Sequence, residues 1–148
     1  MEEIRTAPLL SGDAVMEILP QRAPIVMVDT LYSAGDDWAE TGLLISPDNM
    51  FVQDGKMQTA GLVEHAAQSA AAFAGWRSRG LGLPPAIGFI GEVKQFSAEC
   101  LPETGTRLLT RAEVVASAGG ITLFSVRTRT FAGKPVASGR LKIFSDEP

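Results

Sequence analysis

Between residues 60 and 76 the chain is apolar at almost every position. Seven alanines (60, 66, 67, 70, 71, 72 and 74) stand with Leu62, Val63, Phe73 and Trp76, and only Glu64, His65, Gln68 and Ser69 carry polar side-chain groups. A helix that is apolar nearly all round is a buried one, so this segment predicts a central helix with other structure packed around it. Its small side chains let a sheet approach closely. Residues 77–82 mark the exit, with Gly80 and Gly82 available for a left-handed cap. After Pro84-Pro85 the period changes. Residues 86–98, 106–116, 121–131 and 135–144 read as long strands, and Val126-Arg127-Thr128-Arg129-Thr130 alternates as a sheet with one wet face does. The connections at 102–105, 119–120 and 133–134 are short and turn-like, which predicts that these strands follow one another as antiparallel neighbours.

The first third of the chain is less regular. Residues 11–19 predict a short helix capped by Ser11, with Asp13 in its first turn and Pro20 ending it. Residues 25–31 are apolar and β-branched and predict a buried strand. Gly35-Asp36-Asp37 is a turn, and residues 38–45 return as the second strand of a hairpin. Ser46-Pro47-Asp48-Asn49 breaks the chain again, and 50–56 is expected to be irregular. One buried helix and about six antiparallel strands make an α+β fold, with a curled sheet covering the helix.

Composition narrows this picture. A length of 148 residues with 45% hydrophobic content suits one domain, residues 1–148, with one core. A formal charge of -4 argues against a general nucleic-acid binder, which carries a basic face. Cys100 is the only cysteine, so there is no intrachain disulfide and no zinc cluster of the finger type; it reads as a small packed residue. Glu2, Glu3 and Arg5 make residues 1–7 unlike a signal peptide, and no apolar run reaches the ~18 residues of a membrane span. These features lead to the expectation of a soluble, cytoplasmic protein.

Two stretches carry a resemblance. Leu19-Pro20-Gln21-Arg22-Ala23-Pro24-Ile25-Val26-Met27-Val28-Asp29 is similar to the N-terminal signature of the 3-hydroxyacyl-acyl carrier protein dehydratases, and Leu62-Val63-Glu64-His65-Ala66-Ala67-Gln68 is similar to the Glu-x-x-x-Gln run of their central helix. Gly88-Phe89-Ile90, Lys94-Gln95-Phe96 and residues 101–108 fall where the family has its next two strands, so the likeness spans roughly 18–144. The chain looks closest to the dehydratase-like subgroup of aryl-polyene and flexirubin pathways. The resemblance implies the hotdog fold, an antiparallel sheet wrapped around one long helix. It also implies binding of acyl thioesters, on acyl carrier protein or coenzyme A, in fatty-acid or polyene-type biosynthesis. No cofactor or metal is implied.

The departures from the family bear on activity. Counting back from Glu64 to the family's catalytic histidine lands on Met50, and Gln21 replaces the histidine of the first signature. Dehydration needs a base for the α-proton, an acid for the departing hydroxyl and donors for the enolate-like oxygen. Glu64 is the candidate acid, since burial on such a helix favours the neutral, proton-donating form. Gln68, one turn on, is a candidate orienting partner. His65 is the one histidine and a candidate replacement base, although neighbouring helix residues point about 100° apart. Asp54 is the second candidate base. Thr59 is the expected N-cap, leaving the first-turn amides of Gly61 and Leu62 to polarise a thioester carbonyl. Met50, Phe51, Met57, Gly88 and Phe89 complete the expected substrate-binding set. A structural role stands beside each of these: an anchored helix start for Glu64, a hydrogen-bonded core position for His65, and core or interface packing for Phe51, Met57, Phe73 and Trp76. Arg77, Arg79 and Lys94 either meet an acidic carrier protein or form a solvated face.

Three functions follow from these residues. One is a self-contained dehydratase. Another is a catalytically incomplete subunit that pairs with a histidine-bearing dehydratase paralogue. The last is a thioesterase in which Glu64 directs water at the carbonyl. The resemblance implies at least a dimer, either a homodimer or a heterodimer with that paralogue.

Overall fold

The computed structural model describes residues 7–84 and 88–145. Its elements in chain order are β1 (Leu10–Ser11), a 3₁₀ turn (Gly12–Glu17), β2 (Thr30–Ala34), β3 (Trp38–Leu44), β4 (Val52–Gln53), β5 (Lys56–Met57), α1 (Thr59–Gly80), β6 (Gly88–Ala98), β7 (Arg107–Ala118), β8 (Ile121–Thr130) and β9 (Pro135–Ser145). Among the described residues, seven strands form one antiparallel sheet in the order β1-β2-β3-β7-β8-β9-β6, and β4 and β5 form a separate two-stranded hairpin. Helix α1 packs against β2, β3, β6, β7 and β8, so the sheet wraps the helix in the expected hotdog arrangement. No helix of the described residues is long and apolar enough to cross a membrane.

The alternation along β7 and β8 sorts the two faces of the sheet. Leu108, Thr110 and Ala112 on β7, with Phe124, Val126 and Thr128 on β8, are buried against the helix side. Arg127 and Arg129 between them are exposed. The core falls into two clusters along α1. Ala66, Ala70, Ala72 and Phe73 pack with Ile18, Leu31, Phe124 and Leu141, while Leu62 packs with Met27, Ile45, Met57, Leu108 and Val136. Each large side chain buried this way contributes about 1.5–3 kcal/mol. Gly75 permits one close approach: a Cβ there would lie 2.0 Å from the Ile18 carbonyl oxygen, so the turn after the 3₁₀ segment rests directly on the helix backbone.

Several expectations need correction. The helix expected at 11–19 is a 3₁₀ turn preceded by a two-residue strand, and the Ser11 side chain makes no cap bond. The strand expected at 25–31 starts only at Thr30, because side chains from α1 occupy the backbone groups of Ile25 and Met27. The segment 50–56 contains a small hairpin, with Asp54 (φ 54°) and Gly55 (φ 74°) as its left-handed turn pair. An Asp-Gly pair is a strong local hairpin signal. The helix runs on to Gly80, and Gly82 takes the left-handed conformation beyond it. Residues 86 and 87 of the strand expected at 86–98 lie outside the described residues.

The largest difference is topological. β7, β8 and β9 are consecutive neighbours as expected, but β6 pairs only with β9, at the far edge from β7. The segment between β6 and β7 is not a hairpin turn. It runs beneath β4–β5, where Met57 N donates to Pro102 O, Thr104 N to Gly55 O and Gly105 N to Ile45 O. Those bonds carry the chain across the end of the barrel-like sheet, which a short loop length cannot reveal.

Candidate functional site

The N-terminal half of α1 meets the segment 25–29 through an unbroken set of hydrogen bonds. Gln68 is fully buried: its Oε1 accepts the Met27 N–H at 2.6 Å, and its Nε2 donates to Ile25 O at 2.9 Å and to Glu64 Oε2 at 2.7 Å. The Gln68 amide is therefore saturated, and it ties the candidate carboxylate to Ile25 and Met27, which precede the paired strand β2. Glu64 is half-buried rather than buried, and its Oε1 has no partner among the described residues. Of the polar residues on this turn, Glu64 alone has an oxygen available to a ligand.

His65 points the other way, into the core. Its Nδ1 donates to Met27 O at 2.6 Å, since a carbonyl can only accept, and Nε2 then accepts from Thr110 Oγ1 at 2.8 Å. With its hydrogen committed to His65, Thr110 accepts in turn from Thr128 Oγ1 at 2.6 Å. Beside it, Ser69 donates to His65 O at 2.8 Å and accepts from Thr41 Oγ1 at 2.7 Å. Thr41, Thr110 and Thr128 face one another in register on β3, β7 and β8, so three strands present one row of hydroxyls to two helix residues. Burial pushes the His65 imidazole below its ordinary pKa, against the opposing pull of the Met27 carbonyl and the Asp29 charge. The expectation of His65 as a replacement base is thereby corrected: a neutral ring with both nitrogens bonded inside the core has none to offer substrate.

The other expected residues divide. Phe51, Met57, Gly61 and Leu62 come together at the helix start, where a Cβ on Gly61 would lie 2.6 Å from Phe51 Cβ and 3.0 Å from Met57 Cγ. Met57 and Leu62 have no exposed surface, so they are core residues rather than an open substrate wall. The helix N-cap is Gln58 and not Thr59, which is the exposed first helical residue. The amides of Gly61 and Leu62 both donate to Gln58 O, at 2.9 and 3.2 Å, which removes them as donors to a thioester. Gln58 Nε2 reaches back to Gln53 O and Lys56 O and closes the hairpin onto the helix. Asp54 sits exposed in that hairpin's turn, and a water-facing carboxylate there is not the shielded base envisaged. Met50 is 53% exposed in the preceding loop, which Asn49 pins through Phe51 N and Met27 Sδ. Gly88 lies exposed at the start of β6, opposite Ser145; Phe89 follows it on the strand, and its side chain lies outside the described residues.

Sequence reasoning missed Met27, whose N, O and Sδ are all engaged, and the threonine row. A signal for the row existed in three threonines at inward positions of otherwise apolar strands. A groove of about 400 Å³ lies elsewhere, against the outer sheet face near Arg111, Arg127 and Arg129, and none of the expected site residues lines it.

Fold and helix geometry together define a hotdog protein with a single carboxylate at the head of its central helix. The sequence model of the ApeP-like family, described as ApeP dehydratase, matches residues 13–148, and the chain belongs to that family. Among solved structures it resembles the dehydratase heterocomplex ApeI:P from Xenorhabdus doucetiae, at 19% identity and a TM-score of 0.83, over 97% of this chain and 93% of that one. It also resembles a hypothetical thioesterase solved with coenzyme A from Streptococcus pneumoniae, at 12% identity and TM-score 0.63 over 78% and 83% of the two chains. The PaaI protein of the E. coli phenylacetic acid degradation operon matches at 15% identity and TM-score 0.60 over 77% and 80%. At these identities the likenesses establish the hotdog fold. No curated protein sequence matches the chain.

Proposed function

We propose that this chain binds 3-hydroxyacyl thioesters as the carboxylate-bearing member of a dehydratase pair, with a second chain supplying the base. The observation that carries this reading is the state of the one histidine: both ring nitrogens of His65 are spent in the core. The sequence resemblance supports it, since counting back from Glu64 to the family's base lands on Met50, which is exposed. In the pair, the partner's base takes the α-proton and the C–O bond breaks. Glu64 protonates the departing hydroxyl, which leaves as water, and the product is an α,β-unsaturated thioester. Losing one half of an acid–base pair costs about 10²–10⁴-fold in rate, which argues against efficient turnover by this chain alone.

The heterocomplex assignment of the Xenorhabdus relative is consistent with such pairing. So is the edge of the sheet, because among the described residues β6 has a partner on one side only and exposes Ile90 and Val93. An edge of unpaired N–H and C=O groups is a template for another chain. Hydrolysis is the second reading, supported by the open Oε1 of Glu64, with Glu64 directing a water at the carbonyl in that case.

Mass-resolved turnover of a 3-hydroxyacyl thioester separates the readings. Water loss only when a histidine-bearing dehydratase paralogue is added supports the pair. Water loss by the chain alone overturns it, and thiol release that disappears in Glu64→Ala makes the chain a thioesterase.

A further inference from the structure

The outer face of the sheet carries a charge imbalance that the chain as a whole does not. In register across β3, β7, β8 and β9, Glu40 faces Arg111, Arg111 faces Arg127 and Arg127 faces Ser138. In the next row, Glu113 faces Ser125, Ser125 faces Arg140 and Arg140 faces Lys94 on β6. Two like-charged pairs thus sit directly opposite each other, an arrangement that destabilises a sheet. The carboxylates within and beside these two rows are already used. Arg111 pairs with Glu40 at 3.3 Å and Glu113 at 3.4 Å, Lys142 pairs with Glu92 at 3.3 Å, and Arg107 pairs with Asp29 at 3.1 Å.

The side chains of Arg127, Arg129, Arg140 and Lys94 are left with no ion-pair or hydrogen-bond partner among the described residues. Four adjacent uncompensated cations in a chain of net charge -4 mark a segregated basic patch. The surface dips beside Arg127, Arg129 and Ser138 into a groove of about 400 Å³, with Glu99 as the remaining carboxylate on its wall.

We propose that this outer face, centred on Arg127 and Arg140, docks a protein with an acidic surface, the carrier that presents the thioester. The inference rests on the thioester-binding function proposed above. A second copy of this chain is a poor occupant in a two-fold contact, because an isologous interface would set the same four cations against each other. The basic residues at the end of α1 are weaker candidates: Arg79 already pairs with Glu17 at 3.4 Å and stacks on Trp76, leaving Arg77 alone. Cations on an exposed face act mainly on encounter rate and salt dependence, which suits a carrier that must leave after each turnover.

The test is binding of unacylated holo-acyl carrier protein to the full-length chain by fluorescence anisotropy, beside binding of a small non-hydrolysable acyl-pantetheine thioester. Reversing two charges in Arg127→Glu/Arg140→Glu is expected to weaken carrier binding by about tenfold or more and to flatten its salt dependence. The same variant is expected to bind the small thioester unchanged, and Arg77→Glu to bind the carrier as the wild type does. Unchanged carrier binding in the double variant overturns the docking surface while leaving the thioester reading standing. Carrier binding lost together with small-thioester binding overturns it too, as a misfolded or general effect. Equally tight binding of a 20-bp DNA duplex at the same salt would show a surface for polyanions at large and also overturn it.

Discussion

Gln68 Nε2 donates to Glu64 Oε2 at 2.7 Å across one helical turn, while the same amide's oxygen takes the Met27 N–H at 2.6 Å. One buried side chain thus sets both the carboxylate's orientation and the path of the segment beside it. The two jobs can be separated by substitution.

Glu64→Gln keeps an oxygen that can accept from Gln68, so its stability should fall within about 1 kcal/mol of wild type. Activity of the reconstituted pair should drop by about 10²–10⁴-fold. Urea unfolding and turnover measured on the same preparations check both halves, and a variant that loses stability along with activity would point to an anchoring role for Glu64.

Gln68→Leu removes the partners of Met27 N–H and Ile25 O, both in the segment 25–29. Each buried group left unpaired costs about 1–3 kcal/mol, so the destabilisation should be about 2–5 kcal/mol. A denaturation midpoint that does not move would show that water replaces the amide.

His65 gives the fold a pH dependence whose sign follows from its environment. Burial depresses its folded pKa, while the unfolded chain titrates near the ordinary value of about 6.5. The unfolded state therefore binds more protons between those two values. Stability should be complete above about pH 6.5 and decline as the pH falls through that point, by up to about 1.4 kcal/mol per unit, until the folded pKa is reached. Unfolding free energies from pH 8 to 5 test this, with His65→Gln as the variant in which that slope should flatten.

Gly75 and Gly80 make a contrasting pair on one helix. Gly75→Ala drives a methyl into the Ile18 carbonyl and should cost about 1–3 kcal/mol or more. A Cβ at Gly80 meets nothing within 4 Å, so Gly80→Ala should be neutral or stabilise by about 0.4–1 kcal/mol. Thermal melts of the two variants should move in opposite directions.

Much of the fold was legible in order along the chain. The run of alanines from 60 to 74 announced a helix enclosed by sheet, and the alternation in 126–130 announced strands with one wet face. Both signals are local, because periodicity depends on neighbouring residues alone. Glu64 and Gln68 were legible as a pair for the same reason, four residues apart on one helical face. The Asp54-Gly55 hairpin is legible too, in its turn pair.

What the sequence by itself determined is therefore the class of elements, the central helix and the carboxylate at its head. Tertiary structure alone decided the rest. The strand expected at 25–31 dissolved at its start because Gln68 and His65, some forty residues away, satisfy its backbone better than a neighbouring strand does. β6 went to the far edge because the crossing segment is pinned by bonds to the β4–β5 hairpin and to Ile45. His65 became a core residue because Thr110, itself bonded to Thr128, meets it from a strand that is distant in sequence. A buried polar group must find its partners wherever the fold brings them, and that requirement has no period a sequence can display.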